Sequence, residues 1–316
     1  MTEHHEVTAA TCWYRAYGLV IRSALELPEL LPMAPHGRLT ADVVISTGGP
    51  WPRVDNVFLR KKRMMLAEGI AEFDPAGVAR YRCVGGRTIL VDVHPGADPA
   101  MVRLYLLGRV MGALLHQRGM MPVHASAVSI KGRAWIFCGP SGAGKSSLAA
   151  ALHRRGHRLL CDDTGVIQPA GTGSDVDRFA PGFPRLKLWR DTLVHLGIDP
   201  SGLTPDWSRA DKFHVHVERD FVAESQPVGG VFFLEPTASG DRASVERLSA
   251  TDGVRRLNEN VYRPRMGRRI AGGDALLRLS AEVGARTPLL VYRRPLDFDA
   301  MESSLTDLLD AIDGLL

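Results

Sequence analysis

Over residues 13–93 the strand-forming residues come in short runs separated by turn residues. Residues 13–21 (WYRAYGLVI) and 41–46 (ADVVIS) are rich in β-branched and aromatic side chains, as half-buried strands require. Asp74-Pro75-Ala76-Gly77 is a turn signal. It is followed by strand candidates at 78–84 and 87–93, and the Gly85-Gly86 between them predicts a hairpin. From residue 99 to 119 the period changes. Val102, Tyr105, Leu106, Val110, Leu114 and Leu115 fall at helical spacing. Beyond this helix, strands are expected at 134–138, 158–161, 228–234 and 288–292. Helices are expected at 145–155, 251–258, 274–283 and 301–312. That alternation predicts an α/β core, with residues 169–177 as a surface loop. The expected organisation is a β-rich module over 1–98, a connecting helix over 99–120 and an α/β catalytic domain over 121–316.

Composition narrows the class. The 316 residues are 45% hydrophobic and 23% charged, near globular averages, which excludes a wholly disordered chain and a multi-span membrane protein. The apolar stretch 101–120 carries Arg103, Arg109, His116 and Arg118 and is too polar to span a bilayer. The first residues lack a basic segment followed by an apolar one, so no secretory signal is expected. Cys12, Cys83, Cys138 and Cys161 form no C-x-x-C pair and read as reduced thiols of a cytoplasmic protein. The net charge of +4 divides unequally, six Lys against thirty-three Arg. It suits an anionic ligand such as a nucleotide. No dense basic run with interleaved aromatics points to nucleic acid.

Gly139-Pro140-Ser141-Gly142-Ala143-Gly144-Lys145-Ser146, followed by Ser147, satisfies G-x-x-x-x-G-K-[ST]. An apolar strand pattern precedes it and an Ala/Leu-rich helix pattern follows. Such a loop turns several N–H groups onto phosphate oxygens, and the helix N-terminus adds partial positive charge. Lys145 is the expected phosphate contact and Ser146 the expected Mg²⁺ ligand. Asp162-Asp163 follow sixteen residues after Ser146, at the expected end of a parallel strand. One acid can hold Mg²⁺ while the other takes a proton from an attacking hydroxyl. His124 lies in a short β-like run, twenty-one residues before Lys145. Taken alone it is structural more often than catalytic.

Together, Val123-His124, the Ser-Gly-x-Gly-Lys-Ser core of 139–146, and Arg155-Gly156-His157-Arg158-Leu159-Leu160-Cys161-Asp162-Asp163 resemble the HPr kinase/phosphorylase group of serine kinases. The segments 14–19, 23–31 and 181–189 resemble HPr-kinase-like proteins more loosely, some of which accompany lasso-peptide biosynthesis. The resemblance implies a P-loop kinase domain of the HPr kinase / phosphoenolpyruvate carboxykinase type. It implies ATP and Mg²⁺ as cofactors and a peptide or small protein bearing an acceptor Ser, such as a lasso-type precursor. It also places His124 in the active site with Lys145 on phosphate, Ser146 and Asp162 on metal, and Asp163 as the proton acceptor, and it makes a homo-oligomer plausible. The chain departs from the family at 181–189, where an acid-containing signature is replaced by a stretch with no acid. There Arg185 and Lys187 are either phosphate-stabilising or surface residues, and Lys212 is a similar candidate. The cluster Arg263, Arg265, Arg268 and Arg269 reads as a solvated face before a phosphate clamp. His214 and His216 lack an evident third metal ligand. A free-serine-type metabolite kinase and a non-catalytic ATP-binding regulator remain the alternatives.

Overall fold

The computed structural model describes residues 11–34, 39–171, 174–206, 209–217 and 219–316. The chain divides into two compact units, Met1–Arg118 and Gly119–Leu316. The strands of the first unit are β1 (Cys12–Ala16), β2 (Leu19–Ser23), β3 (Leu31–Pro32), β4 (Val43–Thr47), β5 (Val57–Lys61), β6 (Met64–Ala67), β7 (Ile70–Phe73), β8 (Ala79–Val84) and β9 (Thr88–Val93). Among the described residues they form one nine-stranded sheet in the order β3-β1-β2-β4-β9-β8-β7-β6-β5. The strand-forming run 13–21 folds as the β1–β2 hairpin. Tyr17 and Gly18 turn the chain with φ of 59° and 72°, the left-handed pair a type I′ turn needs. Gly85 and Gly86, at φ 56° and 66°, make the same kind of turn between β8 and β9. The meander β5–β7 was not anticipated. Its Met, Ala, Glu, Lys and Arg positions hide the alternation that packing against cross-strand neighbours imposes.

The helical stretch of this unit is α1 (Pro99–Tyr105), a π-helical turn at Leu106–Val110, and α2 (Met111–Gln117). Asp98 caps α1 by accepting from the Ala100 N–H, and Pro99 fits the first helical position, where no donor is needed. The apolar face lies on β8, and the Tyr81 hydroxyl donates to Val102 O at 2.9 Å. The stretch thus belongs to the first unit's core.

The second unit contains β10 (Met121–Ile130), β11 (Arg133–Cys138), α3 (Lys145–Arg154), β12 (Arg158–Gln168), β13 (Arg178–Ala180), β14 (Arg185–Trp189), α4 (Arg190–His195), β15 (Thr204–Asp206), β16 (Arg209–His216), β17 (Gln226–Thr237), β18 (Ser244–Arg247), α5 (Ala250–Glu259), α6 (Pro264–Ile270), α7 (Gly273–Arg286), β19 (Leu289–Pro295) and α8 (Met301–Asp313). The large sheet runs β11-β10-β12-β13-β17-β19-β18, and a further β11–β17 pairing closes its first five strands on themselves. Only β11–β17 and β17–β19 are parallel. A three-stranded sheet, β14-β16-β15, stands apart. The fold is mixed α/β with several sheets.

Two expectations about the acids are corrected. Asp162 and Asp163 do not end a strand, because β12 continues to Gln168. Nor is that strand parallel to its neighbours, since both β10 and β13 run antiparallel to it. The apolar residues after the acids, Val166 and Ile167, are wholly buried, so burial extends the strand past the polar pair. The core around β10–β12 includes Val123, Ala125, Ala127, Ile136, Leu160 and Phe179. All four cysteines are free thiols, and burial pushes Cys83, Cys138 and Cys161 up, which keeps them protonated.

Candidate active site

The loop between β11 and α3 makes one wall of a cleft of about 580 Å³. Gly139, Gly142 and Gly144 have φ of 153°, 91° and 81°, conformations open to glycine and costly for other residues. Gly144 caps α3, and the first turn of that helix carries no acidic residue. No residue of the helix itself offsets its leading N–H groups and the positive end of its dipole. Lys145 is only 8% exposed. Its Nζ donates to the carbonyls of Gly139 at 2.7 Å and Pro140 at 3.1 Å, both in its own loop. Burial depresses its pKa, and Cys138, Asp162 and Asp163 oppose that effect. The Ser147 hydroxyl lies 2.9 Å from that of Thr192.

Strand pairing supplies the facing wall. The β10–β12 register sets Ser126 opposite Asp162 and Ala125 opposite Asp163. Ser126 Oγ donates to Asp162 Oδ1 at 2.5 Å, and the Lys187 N–H donates to Asp162 Oδ2 at 2.7 Å. Gly182 makes that second bond possible. A Cβ there would sit 2.4 Å from Thr164 O, so only glycine lets the chain entering β14 lie against β12. Asp162 is buried, and desolvation raises its pKa against the lowering effect of its bonds from Ser126, Lys187 and Ser146.

Asp163 differs from its neighbour in every respect that bears on chemistry. Its side chain is 47% exposed, and its φ of 112° is a left-handed conformation rare for a non-glycine residue. In a regular strand two successive side chains point to opposite faces, yet both acids line the cleft. His124 Nδ1 lies 2.9 Å from Asp163 O and 3.2 Å from Asp163 Oδ1. Desolvation pushes the Asp163 carboxyl up. The His124 hydrogen bond, with the charges of His124, Lys187 and Arg185, outweighs it and holds the group below its ordinary value. Asp163 is therefore an ionised, accessible carboxylate beside a buried one.

The small sheet contributes a cationic wall. Lys187 faces His214 in the β14–β16 register, and Trp189 faces Lys212. Lys187 Nζ pairs with the buried Asp206 at 2.5 Å, and His214 Nε2 lies 3.3 Å from the same carboxylate oxygen. Lys212 and Arg209 stand over the Trp189 ring at 4.6 and 5.5 Å. Burial, with the nearby Lys187, lowers the Lys212 pKa. The cleft lining thus includes His124, Lys145, Ser146, both acids, Lys187 and Lys212. Arg185 is not among the lining residues; its guanidinium lies over the Phe183 ring at 4.9 Å. Nor are Arg263, Arg265, Arg268 and Arg269, which lie at and along α6. Among the described residues no cluster of three or more His, Cys, Asp or Glu suited to a metal is present, at His214 and His216 or elsewhere.

Several residues of the site had no signal in the sequence. Ser126 reaches Asp162 only through strand register. Asn260, at the end of α5, accepts from the Gly139 N–H at 3.1 Å. Trp189, Arg209 and Arg294 also line the cleft. Asn260, Arg209 and Arg294 belong to no motif and arrive from distant parts of the chain, while Trp189 ends the 181–189 segment.

The absence of a three-ligand cluster is compatible with Mg²⁺. That ion keeps waters and uses one or two carboxylates together with substrate phosphates. Ser146 and Asp162, already hydrogen-bonded to each other, are the donor set this chain would offer it.

No family model matches the chain, and no curated protein matches its sequence. Among solved structures it is similar to the Hpr(Ser) kinase/phosphatase from Coxiella burnetii. The identity is 12% over 61% of this chain and 97% of that chain, at a TM-score of 0.34.

Proposed function

We propose that this chain is an ATP-dependent phosphotransferase whose acceptor is a serine hydroxyl of a peptide or small protein, a lasso-type precursor being the favoured example. One observation carries the reading: Lys145 and the α3 N-terminus share a single cleft with an ionised, accessible Asp163 and a buried Asp162. Phosphoryl transfer needs little covalent chemistry from the protein. It needs positive charge on the transferring group and a base that orients the attacking hydroxyl.

The P-loop amides and Lys145 hold the donor phosphates. Lys145 exchanges its bonds to Gly139 and Pro140 for phosphate oxygens. Ser146 and Asp162 would hold Mg²⁺, which would supply further positive charge for the phosphates. Asp163 accepts the hydroxyl proton, held in position by His124. Its depressed pKa keeps it ionised at neutral pH, so it acts first by orienting the hydroxyl and takes the proton late, as charge leaves the acceptor oxygen. Lys187 and Lys212 bring further positive charge to the same space.

The test is transfer of label from γ-labelled ATP with Mg²⁺ to candidate peptides, with the site located by mass spectrometry. Labelled peptide serine that disappears in Asp163→Asn while ATP binding persists supports the reading. Label on free serine alone makes the chain a metabolite kinase, and tight ATP binding with no transfer makes it a regulator.

A further inference from the structure

β19 carries two adjacent arginines on opposite faces, and they are treated in opposite ways. Arg293 is partly exposed and bonded to two carboxylates, Glu235 at 2.9 Å and Glu246 at 2.7 Å. Arg294 is 1% exposed, and no carboxylate of the described residues lies within ion-pair distance of it. Its Nη1 donates to Pro295 O at 3.2 Å and lies 3.8 Å from Met301 Sδ. Its Nη2 donates to Gly144 O at 3.3 Å, while its Nε has no acceptor.

Gly144 O also accepts from the Leu148 N–H at 2.9 Å and so opens the hydrogen-bond ladder of α3. The guanidinium therefore lies directly beneath the N-terminus of a ten-residue helix, at the phosphate loop. A Cβ on Gly144 would stand 2.5 Å from Arg294 Nη2, so a side chain there would displace the guanidinium, and the φ of 81° itself favours glycine. Burial lowers the Arg294 pKa, yet a guanidinium stays charged at any ordinary pH. A buried cation without a counter-charge is expensive. Lys145, the other buried cation of the loop, likewise donates only to carbonyls. Among the described residues neither cation has a carboxylate in contact; Asp162 and Asp163 act on Lys145, and Asp297 on Arg294, only at longer range.

We propose that Arg294 is a positioning residue of the donor site. It braces the phosphate loop through Gly144 O and places a second fixed positive charge under the donor phosphates, so that affinity rises steeply with phosphate charge. The proposal rests on the nucleotide-binding reading above and goes beyond it by naming what sets discrimination among tri-, di- and monophosphates.

The test is calorimetric titration of the full chain with ATP, ADP, AMP and inorganic tripolyphosphate in Mg²⁺. It uses wild type, Arg294→Gln, Arg294→Met, Arg294→Lys and, as control, Arg293→Gln. Gln keeps a donor for Gly144 O and removes the charge. The expected result is a loss of at least about tenfold for ATP and tripolyphosphate in the Gln and Met variants, a smaller loss for ADP and none for AMP. Recovery is expected in Lys and no change in Arg293→Gln. The melting temperature of ligand-free Arg294→Met should equal or exceed that of wild type, since removing an unpaired buried charge relieves a cost. Should the Met variant not fold, the Gln and Lys variants carry the comparison. Equal losses for ATP, ADP and AMP, or no loss, would overturn the charge role. Wild type that binds neither ATP nor tripolyphosphate would overturn the nucleotide reading and this proposal with it.

Discussion

Buried charge is treated differently in a cluster of the first unit and around the glycine-rich loop of the second. In the first unit Glu72 sits between two arginines. It accepts from Arg80 at 2.9 Å and from Arg82 at 2.6 Å, and both guanidinium groups lie over the Trp51 ring, at 4.9 and 5.2 Å. The buried Glu72 and Arg82 each have an opposite charge in contact. In the second unit Lys145 and Arg294 are as well buried and contact only carbonyls, with a thioether sulfur beside Arg294. The buried arginine of the first unit thus has a carboxylate in contact, whereas the two buried cations around the glycine-rich loop have none among the described residues.

The sharpest way to break this comparison is at the acid that faces the loop. Asp163→Asn should lower the transfer rate about 10³-fold, the middle of the range for losing a positioned base, with ATP affinity retained. A rate within a few-fold of wild type would remove Asp163 from the mechanism. Next comes the paired cluster. Glu72→Ala leaves Arg82 buried and unpaired, and urea unfolding should show a loss of about 4 kcal/mol. A change below about 1 kcal/mol would mean that this cluster is as tolerant of bare charge as the loop is. Lys145→Ala should then reduce transfer at least about 100-fold, while ligand-free stability holds or rises, because an unpaired buried ammonium is removed. Lowered stability with normal transfer would reverse its assignment from function to structure.

The smallest effect concerns pH. His214 is held down to about 4 by burial, with Arg185 and Lys187 adding to that effect and Asp206 opposing it. A histidine that stays neutral when folded, but binds a proton near 6.5 when unfolded, favours the unfolded chain in acid. Its contribution is therefore present above pH 6.5 and is lost as pH falls toward its folded value. Between pH 8 and pH 5 it should cost about 2 kcal/mol, and His214→Gln should remove that slope from the unfolding free energy. An unchanged slope would show that His214 is not the titrating group.

Much of the donor side was legible because it is local in the chain. A phosphate loop needs glycines at positive φ, a lysine and a helix start within a few consecutive residues, and residues 139–154 supply all of these. The hairpin at Gly85-Gly86 was readable for the same reason. Asp162-Asp163 could be recognised as a pair, but not their division into one buried and one exposed group. That depends on the β10 register, on Gly182 against β12 and on the φ of Asp163. The strand pattern that set them at a parallel strand's end was misleading, because their polarity hid the buried apolar residues beyond.

What the sequence alone determined is the glycine-rich loop and helix start of residues 139–154, since their conformation follows from the backbone freedom of neighbouring residues. Tertiary structure decided which groups face them. Ser126 and His124 come from a strand 36 to 39 residues before the acids they meet, and Arg294 joins Gly144 across 150 residues. Contacts of that range are fixed by sheet register and core packing, where a residue's neighbours in space are not its neighbours in the chain.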